Sequence, residues 1–500
     1  MALFSQGYEK RRYYIATQGP MPATIVDFWK MIWQEKSGKI VMLTNLVENS
    51  KIKCSQYWPS EPDTKQMWGN MQVILKDISK RNDYIIRTFE LLNRKTNKER
   101  TIIQFHFTIW PDHGVPSSPA SLVSFRKLIK RTPSALPGPI VVHCSAGVGR
   151  TGTFLGFDTL MEDSAENDVI DVFKYVSVMR ADRPSMVQSR AQYSFLHQVI
   201  YEGIRARNSL LTLDEIKQLK YRPMLVEEET VETEFKSVML LKKEHHKINT
   251  RSAREAENIP KNRTGHIVPH DNYRAYLVTH VEGRNDYIQA SLVPSLFSRD
   301  GFITTQLPME STIIDFWRMV YEYNSLTIIS LVDQESDHKI DPPFWPITGG
   351  NFKSGPFLIT MTETSEPDSF YTETVVALEK TDAPDPSIRS TINIYKVHEW
   401  PVGVDVPDKR GLLALIRAIQ KREEDVGYHS IVVQDIDGST KCNLFCTIVN
   451  CINRLKEDKV LDVMLTVRDM HVVQPQCIST LPEYRFCYEM AKEYVDTLSE

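Results

Sequence analysis

The 500-residue chain exceeds the roughly 250–300 residues at which one hydrophobic core stops growing, so at least two domains are expected. Hydrophobic residues at 41% and charged residues at 25% are those of a globular chain and exclude disordered, collagen-like and coiled-coil classes. A net charge of -4, from 60 basic and 64 acidic residues, implies no polyelectrolyte attraction to nucleic acid or to an anionic membrane.

Within the N-terminal part, apolar β-branched runs at 39–43, 71–75, 84–91, 101–107 and 140–143 read as strands. Amphipathic segments at 24–34, 118–130, 150–163, 169–180 and 190–204 read as helices. Strands interleaved with helices predict an α/β (α+β) layered domain, a twisted mixed sheet flanked by helices.

That pattern occurs twice. Asp27-Phe28-Trp29-Lys30-Met31 recurs as Asp315-Phe316-Trp317-Arg318-Met319, Trp110-Pro111 as Trp400-Pro401, and Gln192-Tyr193 as Glu483-Tyr484. Offsets of 288, 290 and 291 residues drift too little for anything but two homologous domains in tandem. The first is expected over 1–205, a polar linker over 206–213, and the second over 214–500. The second carries about eighty residues before its first clear match. The first lacks that leader, residues 1–5 aligning with the strand-like 289–293, so the chain is expected to begin inside a domain.

The seven cysteines (Cys54, Cys144, Cys442, Cys446, Cys451, Cys477, Cys487) are odd in number and form no paired CxxC elements. They argue against a disulfide scaffold and a zinc site and fit a reducing compartment. No signal peptide precedes the first strand, and no apolar run approaches the ~20 residues that cross a bilayer. A cytoplasmic chain is expected, which is also compatible with the intracellular part of a single-pass membrane receptor.

The most informative segment runs from Pro139 to Gly152. An apolar strand ends at His143 and delivers Cys144, and the small loop Ser145, Ala146, Gly147, Val148, Gly149 leads into a helix at Arg150. Backbone N–H groups of such a loop can converge as an anion nest at a helix start. The same groups stabilise a thiolate, so Cys144 is expected to be nucleophilic at neutral pH. Arg150 supplies a guanidinium fork for two phosphoryl oxygens, where a lysine would offer only a point charge. A GxxxxGK[ST] nucleotide loop is excluded because its lysine is absent. An isolated cysteine is more often inert core; the Arg-Thr that follows at this spacing reverses those odds. Thr151 can donate to the Cys144 sulfur or cap the helix.

With Ala16-Thr17-Gln18-Gly19-Pro20, Lys53-Cys54-Ser55-Gln56-Tyr57-Trp58-Pro59 and Trp110-Pro111-Asp112-His113-Gly114-Val115-Pro116, the chain resembles the classical protein tyrosine phosphatases over nearly its whole length. Its tandem copies resemble the cytoplasmic region of receptor-type members. The resemblance implies hydrolysis of protein phosphotyrosine through a cysteinyl-phosphate, with neither metal nor organic cofactor. The substrate would lie against residues 145–150, Asp112 and Gln188. The resemblance also makes Asp112 the general acid, as chemistry independently suggests for expulsion of a phenolate. Gln188 and Gln192 match the glutamines that position the hydrolytic water, although on spacing alone they read as well as surface amides. Glu48 and Lys53 match a loop beside the active site, with solvated surface charges the plain alternative.

The second copy departs from this pattern. Asp435 stands where the first has Cys144, Lys441 where it has Arg150, and Val402 where it has Asp112. A carboxylate against one phosphate charge at ~4 Å costs about 4 kcal/mol at an effective dielectric of ~20. This copy reads as a pseudophosphatase retained for folding, docking or regulation, its carboxylate sitting in its own anion nest. The family's Lys-Asn-Arg-Tyr substrate loop is found only here, as Lys261-Asn262-Arg263-Thr264. A rival reading is a non-catalytic scaffold, in which truncation has disabled the first domain.

Overall fold

The computed structural model describes residues 2–8, 12–112, 114–218, 226–242, 249–332, 343–346, 349–365, 370–382, 389–398, 400 and 406–498, to which every count below refers. They form two compact units, Met1–Arg207 and Asn208–Glu500.

In the first unit ten strands, β1 (Ala2–Ser5), β2 (Tyr14–Thr17), β3 (Lys39–Met42), β4 (Val47–Glu48), β5 (Lys51–Ile52), β6 (Lys65–Trp68), β7 (Met71–Lys80), β8 (Tyr84–Asn93), β9 (Lys98–Phe107) and β10 (Ile140–His143), accompany five helices. These are α1 (Ile25–Gln34), α2 (Pro119–Arg131), α3 (Gly149–Glu166), α4 (Val172–Asp182) and α5 (Arg190–Arg205). Eight strands make one mixed sheet in the order β1-β2-β10-β3-β9-β8-β7-β6. β10 lies parallel to both β2 and β3, and β3 parallel to β9, while the flanking pairs are antiparallel. All four residues of β10 are buried, which is why it reads as an unbroken apolar run rather than an alternating one. Helix α1 buries Ile25, Phe28, Trp29 and Ile32, one stripe at helical spacing, and the Trp29 indole donates to the carbonyl of Tyr57 at 2.9 Å.

The second unit repeats this plan. Its strands are β11 (Leu211–Thr212), β12 (Arg274–Tyr276), β13 (Tyr287–Val293), β14 (Phe302–Gln306), β15 (Thr327–Ser330), β16 (Asn351–Ser354), β17 (Phe357–Thr364), β18 (Tyr371–Lys380), β19 (Arg389–Val397), β20 (Ile431–Asp435) and β21 (Val460–Leu461). Its helices are α6 (Leu213–Gln218), α7 (Glu228–Lys242), α8 (Ile313–Glu322), α9 (Lys409–Val426), α10 (Thr440–Asp458), α11 (Val463–Val473) and α12 (Leu481–Asp496). The nine-stranded sheet runs β12-β13-β14-β20-β15-β19-β18-β17-β16, with β20 parallel to β14 and β15 as β10 is to β2 and β3. Trp317 on α8 donates to the Phe344 carbonyl at 2.8 Å, the counterpart of the Trp29 bond. Among the described residues no helix is long and apolar enough to cross a membrane.

Several boundaries differ from expectation, two of them for a reason visible in the structure. The polar stretch expected to link the domains is divided: Ala206 and Arg207 complete the first unit, and 208–213 packs into the second. There β11 pairs with β21, and the buried Ser209 hydroxyl donates to Asp462 at 2.9 Å, so its polar groups are satisfied by the fold rather than by water. Helix α4 begins at Val172 instead of 169, because the Asp171 carboxylate caps the N–H of Lys174 at 2.8 Å and ends the preceding loop.

Candidate active site

Parallel strands bring their C-terminal ends to one edge of the sheet, where α/β folds bind ligands. β10 ends there with His143, and Cys144 follows, 4% exposed. The loop turns on Gly147, whose φ of +73° belongs to the left-handed region. A Cβ at this position would lie 2.2 Å from the Thr17 carbonyl oxygen, so only glycine fits. Arg183 donates to the carbonyls of Ala146 at 3.1 Å and Gly147 at 2.8 Å. Because the peptide plane opposes C=O and N–H, anchoring the Ala146 carbonyl aims the Gly147 N–H at the Cys144 sulfur, which accepts it at 3.2 Å.

Behind Cys144 lies a buried polar chain. The His143 Nδ1 faces the Cys144 carbonyl at 3.2 Å, which requires the proton on Nδ1 and leaves Nε2 to accept from the Tyr57 hydroxyl at 2.8 Å. Gln104 donates to Tyr57 at 2.7 Å, and Arg87 to Gln104 at 2.8 Å. Burial lowers the His143 pKa to about 4, so the ring is neutral at physiological pH.

Arg150, at the start of α3, donates to both carboxylate oxygens of Glu48 at 2.7 and 2.8 Å, to the Leu43 carbonyl at 3.0 Å and to the Pro111 carbonyl at 2.9 Å. Glu48 also accepts from the Asn45 N–H at 3.0 Å and the Thr44 hydroxyl at 3.1 Å. It comes from the β4–β5 hairpin, whose turn residues Asn49 and Ser50 both have positive φ, as a two-residue turn matched to strand twist requires. The same hairpin region holds Asp112, through the Asn49 amide at 3.0 Å and an ion pair with Lys53. Lys53 keeps Asp112 well below the usual carboxylate range, at about 2. Asp112 lies 3.9 Å from Arg150.

The structure thus gathers Cys144, Arg150, Asp112 and residues 145–149 into one site. Gln192 belongs to it through its amide, which a Cβ at Gly149 would meet at 2.9 Å. The Gln192 oxygen accepts the N–H groups of Gln188 at 2.9 Å and Ser189 at 3.3 Å, closing the cap of α5. The Gln188 side chain is exposed. The Thr151 hydroxyl is buried without a hydrogen bond, so the expected donation to the Cys144 sulfur is not made here. Sequence reasoning missed Arg183 and Asn49. The available signals were a basic residue before Pro184 at a helix end and an Asn-Ser pair between short apolar stretches.

In the second unit, Asp435 ends β20 and is fully enclosed. Its carboxylate accepts five backbone N–H groups: Asp437 at 3.1 Å, Gly438, Ser439 at 3.2 Å, Lys441 at 2.8 Å and Cys442 at 3.1 Å. Burial and the neighbouring Asp437 nevertheless raise its pKa to about 6. The Lys441 ammonium is bonded to the carbonyls of Leu331, at 3.3 Å, and Trp400, much as Arg150 is to those of Leu43 and Pro111. Val402 lies outside the described residues.

The family model for protein-tyrosine phosphatases matches residues 2–202 and 258–493, and the chain belongs to that family. Receptor-type tyrosine-protein phosphatase alpha of Homo sapiens is 34% identical over 512 residues, covering 100% of this chain and 62% of that protein. The epsilon protein of Homo sapiens is 34% identical over 513 residues, covering 100% and 72%. The S protein of Gallus gallus is 34% identical over 506 residues, covering 99% and 32%. The chain therefore spans about three fifths of the length of the alpha relative.

Proposed function

We propose that the first unit hydrolyses phosphotyrosine in proteins and that the second is a pseudophosphatase. What carries the reading is the Cys144 sulfur on the Gly147 N–H, beside a guanidinium already oriented by Glu48. The sulfur attacks phosphorus, an S–P bond forms, and the bond to the phenolic oxygen breaks. Asp112 gives its proton to the departing oxygen. Water then attacks phosphorus, Asp112 takes a proton back, the S–P bond breaks and inorganic phosphate leaves. In this structure Asp112 is a carboxylate on Lys53 and Asn49, so it must leave both, and be protonated, before it can act.

The five N–H groups that a phosphate would need in the second unit are taken by Asp435, which is consistent with neither turnover nor oxyanion binding there. That unit is left for docking or regulation.

The test is turnover of p-nitrophenyl phosphate and of a phosphotyrosine peptide by the full chain, with and without chelator. Cys144→Ser should abolish turnover, whereas Asp112→Ala should slow it and leave substrate binding. Unchanged turnover by Cys144→Ser would overturn the mechanism, and residual turnover in that variant would overturn the pseudophosphatase reading.

A further inference from the structure

A cavity of about 270 Å³ opens in the second unit between α9 and α10, at the N-terminal ends of β14 and β20. Asp435 ends the same strand β20, roughly 13 Å away at 3.3 Å per residue, so the cavity is separate from the degenerate loop.

The equivalent place in the first unit is filled by an ion cluster. Buried Asp158 accepts from the Tyr14 hydroxyl at 2.6 Å and from Arg126 at 2.7 Å, and pairs with Lys130 at 3.2 Å. By the repeat offsets, these four positions are Val449, Phe302, Ile416 and Gln420 in the second unit, and Lys39 becomes Thr327. The carboxylate and three cations are lost together, and Val449, Phe302 and Gln420 line the space that results.

A different carboxylate enters it. Glu423, 5% exposed, accepts from the Thr327 hydroxyl at 3.0 Å and the His429 N–H at 3.1 Å, both neutral donors. Among the described residues no lysine or arginine lies within ion-pair distance of it; burial raises its pKa, and the nearby Arg422 charge offsets this only in part. The one lysine in the wall, Lys456, is already bonded to Glu424 at 2.6 Å. Asp300 adds further negative charge to the wall, and at the mouth the rings of Phe297 and Tyr428 lie 4.8 Å apart, with Tyr428 62% exposed.

We infer that this cavity binds an organic monocation on a short apolar stem, an alkylguanidinium or alkylammonium of the kind an arginine or lysine side chain carries, with its head on Glu423 and its stem against the packed Phe297–Tyr428 pair. The charge-assisted carboxylate bond and the aromatic walls both favour that chemistry. The volume is just below the ~300 Å³ at which ordinary ligand pockets begin, which suits one side chain better than a whole cofactor.

Two probes separate a free small molecule from a peptide side chain: N-acetyl-argininamide and a short peptide bearing one arginine, each titrated onto the full chain by calorimetry. Citrulline analogues of both serve as neutral controls. Both arginine probes should bind saturably, the peptide more tightly if a partner segment is the natural source. Binding should weaken by about tenfold or more in Glu423→Gln, in Tyr428→Ala and in Gln420→Lys, which restores the first unit's cation. Turnover of p-nitrophenyl phosphate should not change. No saturable binding, equal binding of the citrulline controls, or undiminished binding in Tyr428→Ala and Gln420→Lys would each overturn the inference.

Discussion

Arg150 and Glu48 face each other in a parallel two-bond pairing, Nη1 on Oε1 at 2.7 Å and Nη2 on Oε2 at 2.8 Å, with both side chains nearly closed off from water. The guanidinium plane is therefore fixed before any phosphate arrives. With two N–H groups on Glu48 and one each on the Leu43 and Pro111 carbonyls, only Nε–H remains, so a two-bond grip on a tetrahedral oxyanion requires the Pro111 carbonyl to give way.

Withdrawing the charge at position 48 should expose that dependence. Glu48→Gln keeps the shape but leaves a buried guanidinium without its counter-ion, and kcat/KM on p-nitrophenyl phosphate should fall about a hundredfold, with a lower Tm. Arg150→Lys should cost at least as much, because an ammonium cannot fork. Unchanged kcat/KM in Glu48→Gln would mean that the Leu43 and Pro111 carbonyls alone place the arginine.

Lys53 sets the protonation state of Asp112. Lys53→Met should let the Asp112 pKa climb from about 2 toward the ordinary carboxylate value of about 3.9, so the limb of the kcat/KM profile on which the proton donor is lost should move to higher pH. Stability moves with the opposite sign. A depressed carboxylate contributes stability above its unfolded pKa and loses it as pH falls toward about 2, so the variant should lose less stability than the parent on acidification below pH ~4. A profile whose limb stays put would separate Asp112 from the proton transfer.

How far the sequence reveals this site depends on whether a residue's role is local. The strand, Cys144, the small loop and Arg150 follow one another in the chain, and the repeated Asp-Phe-Trp stretch marks one amphipathic helix in each unit, so both are legible from spacing. Arg183 acts on carbonyls 36 and 37 residues away, and Asn49 on a carboxylate 63 residues away; neither pairing has a periodicity to betray it. Val187 is harder still: a β-branched residue at φ +56°, lying where a Cβ on Gly152 would come within 2.5 Å of its nitrogen. The close approach to Gly152 and the Val187 N–H bond to the Val148 carbonyl at 3.2 Å accompany that strained backbone, and Ile478 repeats it in the second unit at φ +45°.

The second unit differs from the first in the strand that leads into this loop as well. Gln434 occupies the place of His143, but Phe344 stands where Tyr57 offers its hydroxyl, and both polar atoms of the Gln434 amide are buried without a hydrogen bond. Gln434→Met should therefore stabilise the second unit by about 1–3 kcal/mol in denaturant unfolding, since it removes an uncompensated desolvation cost. In the first unit His143→Met, which breaks a satisfied chain, should destabilise. Loss of stability in Gln434→Met would mean that the amide is doing structural work in the native state.

Asp435 makes the last prediction, and its sign follows from the direction of the shift. Its pKa is raised to about 6 in the folded chain, against about 3.9 in an unfolded one. The folded state therefore holds this proton more tightly, and the stability that brings is complete below pH ~4 and lost as pH rises through about 6. The two-unit gap corresponds to an order of 3 kcal/mol at most, at about 1.4 kcal/mol per unit. Asp435→Asn cannot ionise, so its stability should decline less across pH 4–6 than the parent's, and the difference between the two curves isolates this carboxyl from every other titrating group. Parallel curves would mean that the five N–H donors hold Asp435 as an ordinary carboxylate, outweighing both its burial and the charge on Asp437.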